Sequence, residues 1–151
     1  MLNGTPALNT LTEGVIGAAV EVHRCLGPGL PENAYEEALA YELSRRSIDF
    51  VRQPVLPIRY KDRKVGECRF DLLVANSLIV EIKAVEILSK LHEAQLNTYL
   101  RLANQPFGLL INFNVPKLTT GLRRVANRSF ASPPSEPSPP SVSKTPIKNA
   151  S

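Results

Sequence analysis

Apolar residues recur with the period of a helix through the first third of the chain and with that of strands through the middle. Val15, Ile16, Ala19, Val20 and Val22 form a stripe at three- and four-residue spacing, which predicts a helix from about Leu11 to Cys25. Thr10-Leu11-Thr12-Glu13 has the spacing of a capping box at its start, and Gly27-Pro28-Gly29 ends it. Ala34, Tyr35, Ala38, Leu39 and Leu43 repeat the pattern in a second helix, opened by Pro31 and running to about Arg46. Phe50–Ile58, continued by Arg59 and Tyr60, reads as one extended segment, and Pro54 and Pro57 place it at a sheet edge because proline cannot donate to a ladder. A third helix is expected over about Ile87–Leu102, with Leu88, Leu91, Leu96 and Leu100 among its apolar positions. Phe107–Phe113 is almost continuously apolar and reads as a buried strand, while Leu118–Val125 suits either a strand or a short helix.

The centre of this pattern is Glu67–Lys83, two apolar runs on either side of Ala75-Asn76-Ser77, which predicts a β-hairpin. Its charges stand out. Strand alternation puts Glu81 and Lys83 on one face and Val80 and Ile82 on the other. With the turn centred on Asn76, Asp71 lies across from Glu81. Facing carboxylates repel unless something positive sits between them, and Lys83 or a divalent cation would serve. Two hard oxygen ligands beside a lysine are what metal-assisted phosphodiester hydrolysis needs: the carboxylates hold the ion, and the lysine offsets charge building on the phosphate. A hairpin with one solvated, charged face would carry the same residues.

Two further clusters have candidate chemistry. His92, Gln95 and Tyr99 share a stripe of the third helix, where an imidazole, an amide and a phenol could meet a phosphate or a metal-bound water. Glu32 and Glu36 share a face of the second helix; Glu32 complements the helix dipole or else reaches the hairpin as another acid. His23, near the end of the first helix, reads as a helix C-terminal cation or a surface residue rather than a ligand, and the two histidines fit no zinc spacing.

Composition adds boundaries. The chain has 151 residues and a formal charge of +4, mildly basic and compatible with nucleic acid. Two cysteines, Cys25 and Cys68, are too few for a disulfide scaffold, and Cys68 reads as a buried thiol. No stretch reads as a signal peptide or membrane span, so a cytoplasmic location is expected. From Ser132 onward proline and serine dominate; residues 1–131 are expected to form one domain and 132–151 a disordered tail, with residues 1–8 a loose arm. The element order implies α/β or α+β, with a small mixed sheet covered by helices.

Gly29-x-x-Glu32-x-x-Tyr35, Asp71-Leu72-Leu73-Val74, Glu81-Ile82-Lys83, His92-x-x-Gln95 and Gly108–Phe113 occur in an order that resembles the GxxExxY proteins, small bacterial members of the PD-(D/E)XK nuclease superfamily. The resemblance spans about residues 10–126. It implies a restriction-endonuclease-like α/β core, a mixed sheet flanked by helices. It also implies Asp71 and Glu81 as metal ligands for Mg²⁺ or Mn²⁺, joined by Glu32 from the early helix, and Lys83 as the catalytic lysine. Gln95 and Tyr99 match the QxxxY element of the RecB-like branch, with a supporting catalytic role or, alongside His92, a nucleic-acid-binding one. Ser47 stands where the pattern would have glycine after the second helix, and the Pro/Ser tail has no counterpart.

Three readings follow. The first is a metal-dependent nuclease acting on DNA, with RNA second. The next is a catalytically silent nuclease fold that binds nucleic acid or a protein partner, alone, as a homodimer or within a larger complex. The last is a scaffold with an incidental charged hairpin.

Overall fold

The structure, a computed structural model, describes residues 6–130; the expectations for residues 1–5 and for the tail from Ser132 lie outside the described residues. Helix α1 spans Pro6–Leu26 and α2 spans Glu32–Arg45. Strands β1 (Phe50–Arg52), β2 (Val55–Tyr60), β3 (Arg63–Arg69), β4 (Leu72–Val74) and β5 (Leu78–Lys83) precede α3 (Lys90–Ala103). Strand β6 (Phe107–Asn112), a 3-10 turn at Leu118–Gly121 and β7 (Leu122–Ala126) complete the chain. Five strands form a mixed sheet in the order β1-β4-β5-β6-β7, with only β5 and β6 parallel. Strands β2 and β3 form a separate antiparallel pair.

The two faces of this sheet bury different partners. Leu72, Val74, Leu78, Val80, Ile82, Leu109 and Ile111 meet α1 and α2 through Val15, Ala19, Val22, Tyr35, Leu39 and Leu43. Ile79 and Leu110 meet α3 through Leu96, Tyr99 and Leu100, with Phe70, Leu56 and Cys68 filling the rim. Alternation along β5 therefore sends Glu81 and Lys83 to the α3 face. This is the α/β restriction-endonuclease-like arrangement, a mixed sheet flanked by helices. Strand β6 lies so close under α3 that a Cβ at Gly108 would sit 2.9 Å from Leu96 Cδ1.

The motif residues of the α1–α2 corner do structural work. Gly29 adopts φ +102°, a left-handed backbone that favours glycine. The Tyr35 hydroxyl donates to Gly27 O (2.6 Å) and accepts from Leu30 N (3.1 Å), and its ring stacks on Phe113 at 4.6 Å. The second corner runs through Ser47 at φ 59°, with Ile48 N donating to Leu43 O at 3.0 Å. Serine thus occupies the left-handed helix-end position that glycine takes without steric cost.

Several sequence expectations are corrected. Helix α1 begins at Pro6, so Thr10 and Thr12 lie inside it and donate to Pro6 O and Leu8 O four residues back instead of forming a capping box. The capping box is at α3, where Ser89 Oγ accepts from His92 N and His92 Nδ1 accepts from Ser89 N. Glu67–Val74 is not one strand: the chain bends at Phe70-Asp71, because β3 pairs outside the sheet and β4 inside it. The segment 50–60 splits likewise at Gln53-Pro54, leaving β1 at one edge of the five-stranded sheet. Leu91 is 77% exposed, since the buried stripe of α3 is Leu96, Tyr99 and Leu100. His23 is buried instead of exposed, with Nε2 2.7 Å from Val115 O. Cys68 is half-buried. Leu118–Val125 combines both readings, a 3-10 turn followed by β7.

Candidate active site

The β4–β5 connection brings two carboxylates together. Ala75 and Asn76 take left-handed backbones (φ 50° and 54°), and the ladder pairs Leu72 with Val80. Continued by one residue, that register sets Asp71 beside Glu81. The two are laced by their own backbones: Asp71 N donates to Glu81 Oε1 at 2.9 Å, and Ile82 N donates to Asp71 Oδ2 at 2.7 Å. Each side chain thus has one oxygen anchored and one turned to other partners. Asp71 Oδ1 accepts a long bond from Gln53 Nε2 (3.4 Å), and Glu81 Oε2 lies 3.9 Å from Lys83 Nζ.

Burial works against both charges. Glu81 is 5% exposed, and burial first, then the Asp71 charge, push its pKa up to about 8. Asp71 is also raised, by burial first and then by the charges of Glu36 and Glu32. Without a cation, burial and mutual repulsion thus favour keeping a proton on the pair. Lys83 Nζ donates to Gln95 Oε1 (3.2 Å) across from α3. One turn further on, Tyr99 is nearly buried, its ring 6.0 Å from Phe70. Burial and then the Glu81 charge push its phenol up to about 12, so it remains a neutral donor.

Asp71, Glu81, Lys83 and Gln95 thus form one connected group with Tyr99 beside it. The other two candidates stand apart. Glu32 is exposed in the first turn of α2 and reaches Asp71 only through longer-range repulsion. No hydrogen bond or ion pair among the described residues joins His92 to the group, and its Nδ1 is occupied by the helix cap. Sequence reasoning overlooked Gln53 and the full part played by Glu36. Glu36, 8% exposed, accepts from Arg52 Nη2 at 3.0 Å and from Gln53 Nε2 at 3.1 Å. Gln53, at φ 54°, ties Asp71 twice, by its side chain and by its backbone N donating to Asp71 O at 2.9 Å. The four-residue spacing of Glu32 and Glu36 was the available signal; nothing local marks Gln53. Asn112 is a further overlooked support: its amide brackets Val85 N and O (3.0 and 2.8 Å), while Phe113 N donates to Lys83 O at 2.9 Å, fixing the chain just past Lys83.

Among the described residues no group of three or more His, Cys, Asp and Glu is gathered closely enough to hold a metal ion. Asp71 and Glu81 still suit a hard divalent cation that keeps water in its shell. They offer two carboxylate oxygens, with the opposite ones anchored, at a place where negative charge is otherwise penalised.

A mixed sheet with a carboxylate pair and a lysine at its centre is the architecture of a nuclease core. The chain belongs to the PD-(D/E)XK nuclease superfamily, whose family model matches residues 9–125. Nucleases of this superfamily typically use divalent metals. Comparison with curated proteins gives no match. Among the described residues no helix is long and apolar enough to cross a membrane.

Proposed function

We propose that this protein is a Mg²⁺- or Mn²⁺-dependent nuclease that hydrolyses phosphodiester bonds of DNA, or in second place of RNA, and works in the cytoplasm. The observation that carries this reading is the laced Asp71–Glu81 pair with Lys83 and Gln95 beside it. Asp71 and Glu81 would hold the cation, which when bound would supply polarisation of the phosphate and a water of lowered pKa. A cation would compete with the proton on this pair, so affinity should rise with pH. Lys83, aimed by Gln95, supplies positive charge where the phosphate gains negative charge. Tyr99 supports the wall of the site as a neutral hydroxyl. Gln53 and Glu36 orient Asp71; Glu32 and His92 stand further out, and Glu32 adds negative charge that favours the cation. Within the superfamily we place the chain with the GxxExxY proteins and the RecB-like branch, on Gly29, Glu32 and Tyr35 and on the Gln95–Tyr99 pair. Residues 1–131 are taken as the catalytic domain and 132–151 as an appended tail.

Calorimetric titration with Mg²⁺ and Mn²⁺, followed by cleavage assays on plasmid and single strands, tests the reading. Wild type should bind and cleave, and Asp71→Ala and Glu81→Ala should lose both. Lys83→Ala should bind metal with cleavage reduced about 10²-fold or more, the usual size of a lost charge-stabilising group. No binding at millimolar metal would end the nuclease reading. Binding without cleavage of any nucleic acid would leave the silent module in its place.

A further inference from the structure

Strands β2 and β3 form an arm apart from the five-stranded sheet. Between Val55 and Arg69 the arm carries five cations against two anions, Asp62 and Glu67. The remainder of residues 6–130 holds eleven of each, so all the net formal charge of the described chain, +3, sits on these fifteen residues. Elsewhere the arginines are mostly tied: Arg46 to Glu42, Arg52 to Glu36 and Glu37, Arg123 to Glu93, Arg124 to Glu13. On the arm only Lys64 has an acidic partner, Glu67 at 2.6 Å. Lys61 lies over the exposed Tyr60 ring at 5.4 Å. The side chains of Arg59 and Arg63 are exposed and make no hydrogen bond or ion pair among the described residues, and Arg69 meets Glu67 only through longer-range attraction. Clustered, unneutralised cations repel one another, which is a cost unless an anion meets them.

The arm is also held in a defined place. Its inner face packs Leu56 and Cys68 against the cluster around α3. Its base closes where Gln53 N donates to Asp71 O, and Asp71 follows the last strand residue by two. The base of the arm, with Arg69, thus adjoins the carboxylate pair, while Arg59, Lys61 and Arg63 sit at its far end, about 20–25 Å further along the strands and within reach of the same duplex. A two-stranded ribbon fits the ~12 Å major groove of B-form DNA, whereas the deep, narrow groove of A-form RNA does not admit it.

We propose that the β2–β3 arm is the duplex-engaging element of this protein. It meets the sugar–phosphate backbone of B-form DNA through Arg59, Lys61 and Arg63 and leads it to the Asp71–Glu81 pair. The arm's role at that pair rests on the nuclease reading; its binding of DNA does not.

The test is fluorescence anisotropy of the full chain with a short DNA duplex in EDTA, over a salt series, with matched RNA duplex and single-strand probes. The triple variant Arg59→Ala/Lys61→Ala/Arg63→Ala is compared with a control of equal charge change, Arg45→Ala/Arg101→Ala/Lys117→Ala, at matched melting temperatures. Each lost phosphate contact lowers the log–log salt slope by about 0.9, so the arm variant should lose about 2–3 from the slope and at least about tenfold in affinity, with the control near wild type. An unchanged slope in the arm variant, an equal loss in the control, or no duplex binding by wild type would overturn the proposal. RNA duplex bound as tightly, with the same arm dependence, would overturn the B-form assignment. Metal-dependent cleavage that persists without arm dependence would sink the arm alone. Arm-dependent duplex binding with no metal-dependent cleavage would sink the nuclease reading alone.

Discussion

Glu81 should make the metal-free protein less stable as pH rises, and Glu81→Gln should remove that dependence. Burial and the Asp71 charge move this carboxyl from 4.5 to about 8 in the folded chain. One pKa unit corresponds to about 1.4 kcal/mol, so ionising Glu81 in place costs at most roughly 5 kcal/mol, and relaxation toward water reduces this to a few. The sign follows from proton counts. Below pH 4.5 the folded and unfolded chains both carry the proton. Between 4.5 and about 8 the unfolded chain has lost it and the folded chain keeps it, so stability falls with each step in pH. Above that window the loss is complete. Glutamine keeps an oxygen for the Asp71 amide, now 2.9 Å from Glu81 Oε1, and carries no charge. Urea denaturation in EDTA at pH 5, 7 and 9 should show the two proteins within about 1 kcal/mol at pH 5. At pH 9 the variant should be ahead by about 2–5 kcal/mol. A difference that stays constant from pH 5 to 9 would mean that Glu81 is neither desolvated nor repelled as described. Saturating Mg²⁺ should flatten the wild-type curve alone, because a bound cation holds both carboxylates ionised.

Leu110 is wholly buried in β6, so Leu110→Asp should unfold the domain or lower stability by more than about 4 kcal/mol; an unchanged thermal transition would place the strand at the surface. Tyr35→Phe keeps the stack on Phe113 but strands the Leu30 amide, for an expected loss of about 1–3 kcal/mol in a denaturant midpoint at unchanged m-value. Ser47→Gly relieves a left-handed serine and should raise stability by up to about 1 kcal/mol; destabilisation would show that the serine side chain is needed there. Gly121→Ala would drive a Cβ into Asn112 O, so purified variant should show a clear drop in melting temperature.

Local periodicity determined much of this protein. Alternation on β5 put Glu81 and Lys83 together, and the turn around Asn76 set Asp71 opposite, because strand geometry repeats every two residues whatever surrounds it. The continuous apolar run of β6 required burial on both faces, and Gly29 and Tyr35 marked a corner that only one backbone shape can make. What sequence could not decide depends on contacts between distant segments. The break at Phe70-Asp71 exists because β3 and β4 find partners in different sheets. Gln53 meets Asp71 across eighteen residues, and Glu36, not Glu32, becomes the buried acid of α2, only because of how that helix lies on the β1 edge. His92 was visible on the helical wheel, but that its Nδ1 also accepts from Ser89 N in the helix cap shows only in the fold. Propensity and pattern act over a few residues, whereas desolvation and hydrogen bonding at the carboxylate pair are properties of the assembled core, and the tertiary fold alone decides them.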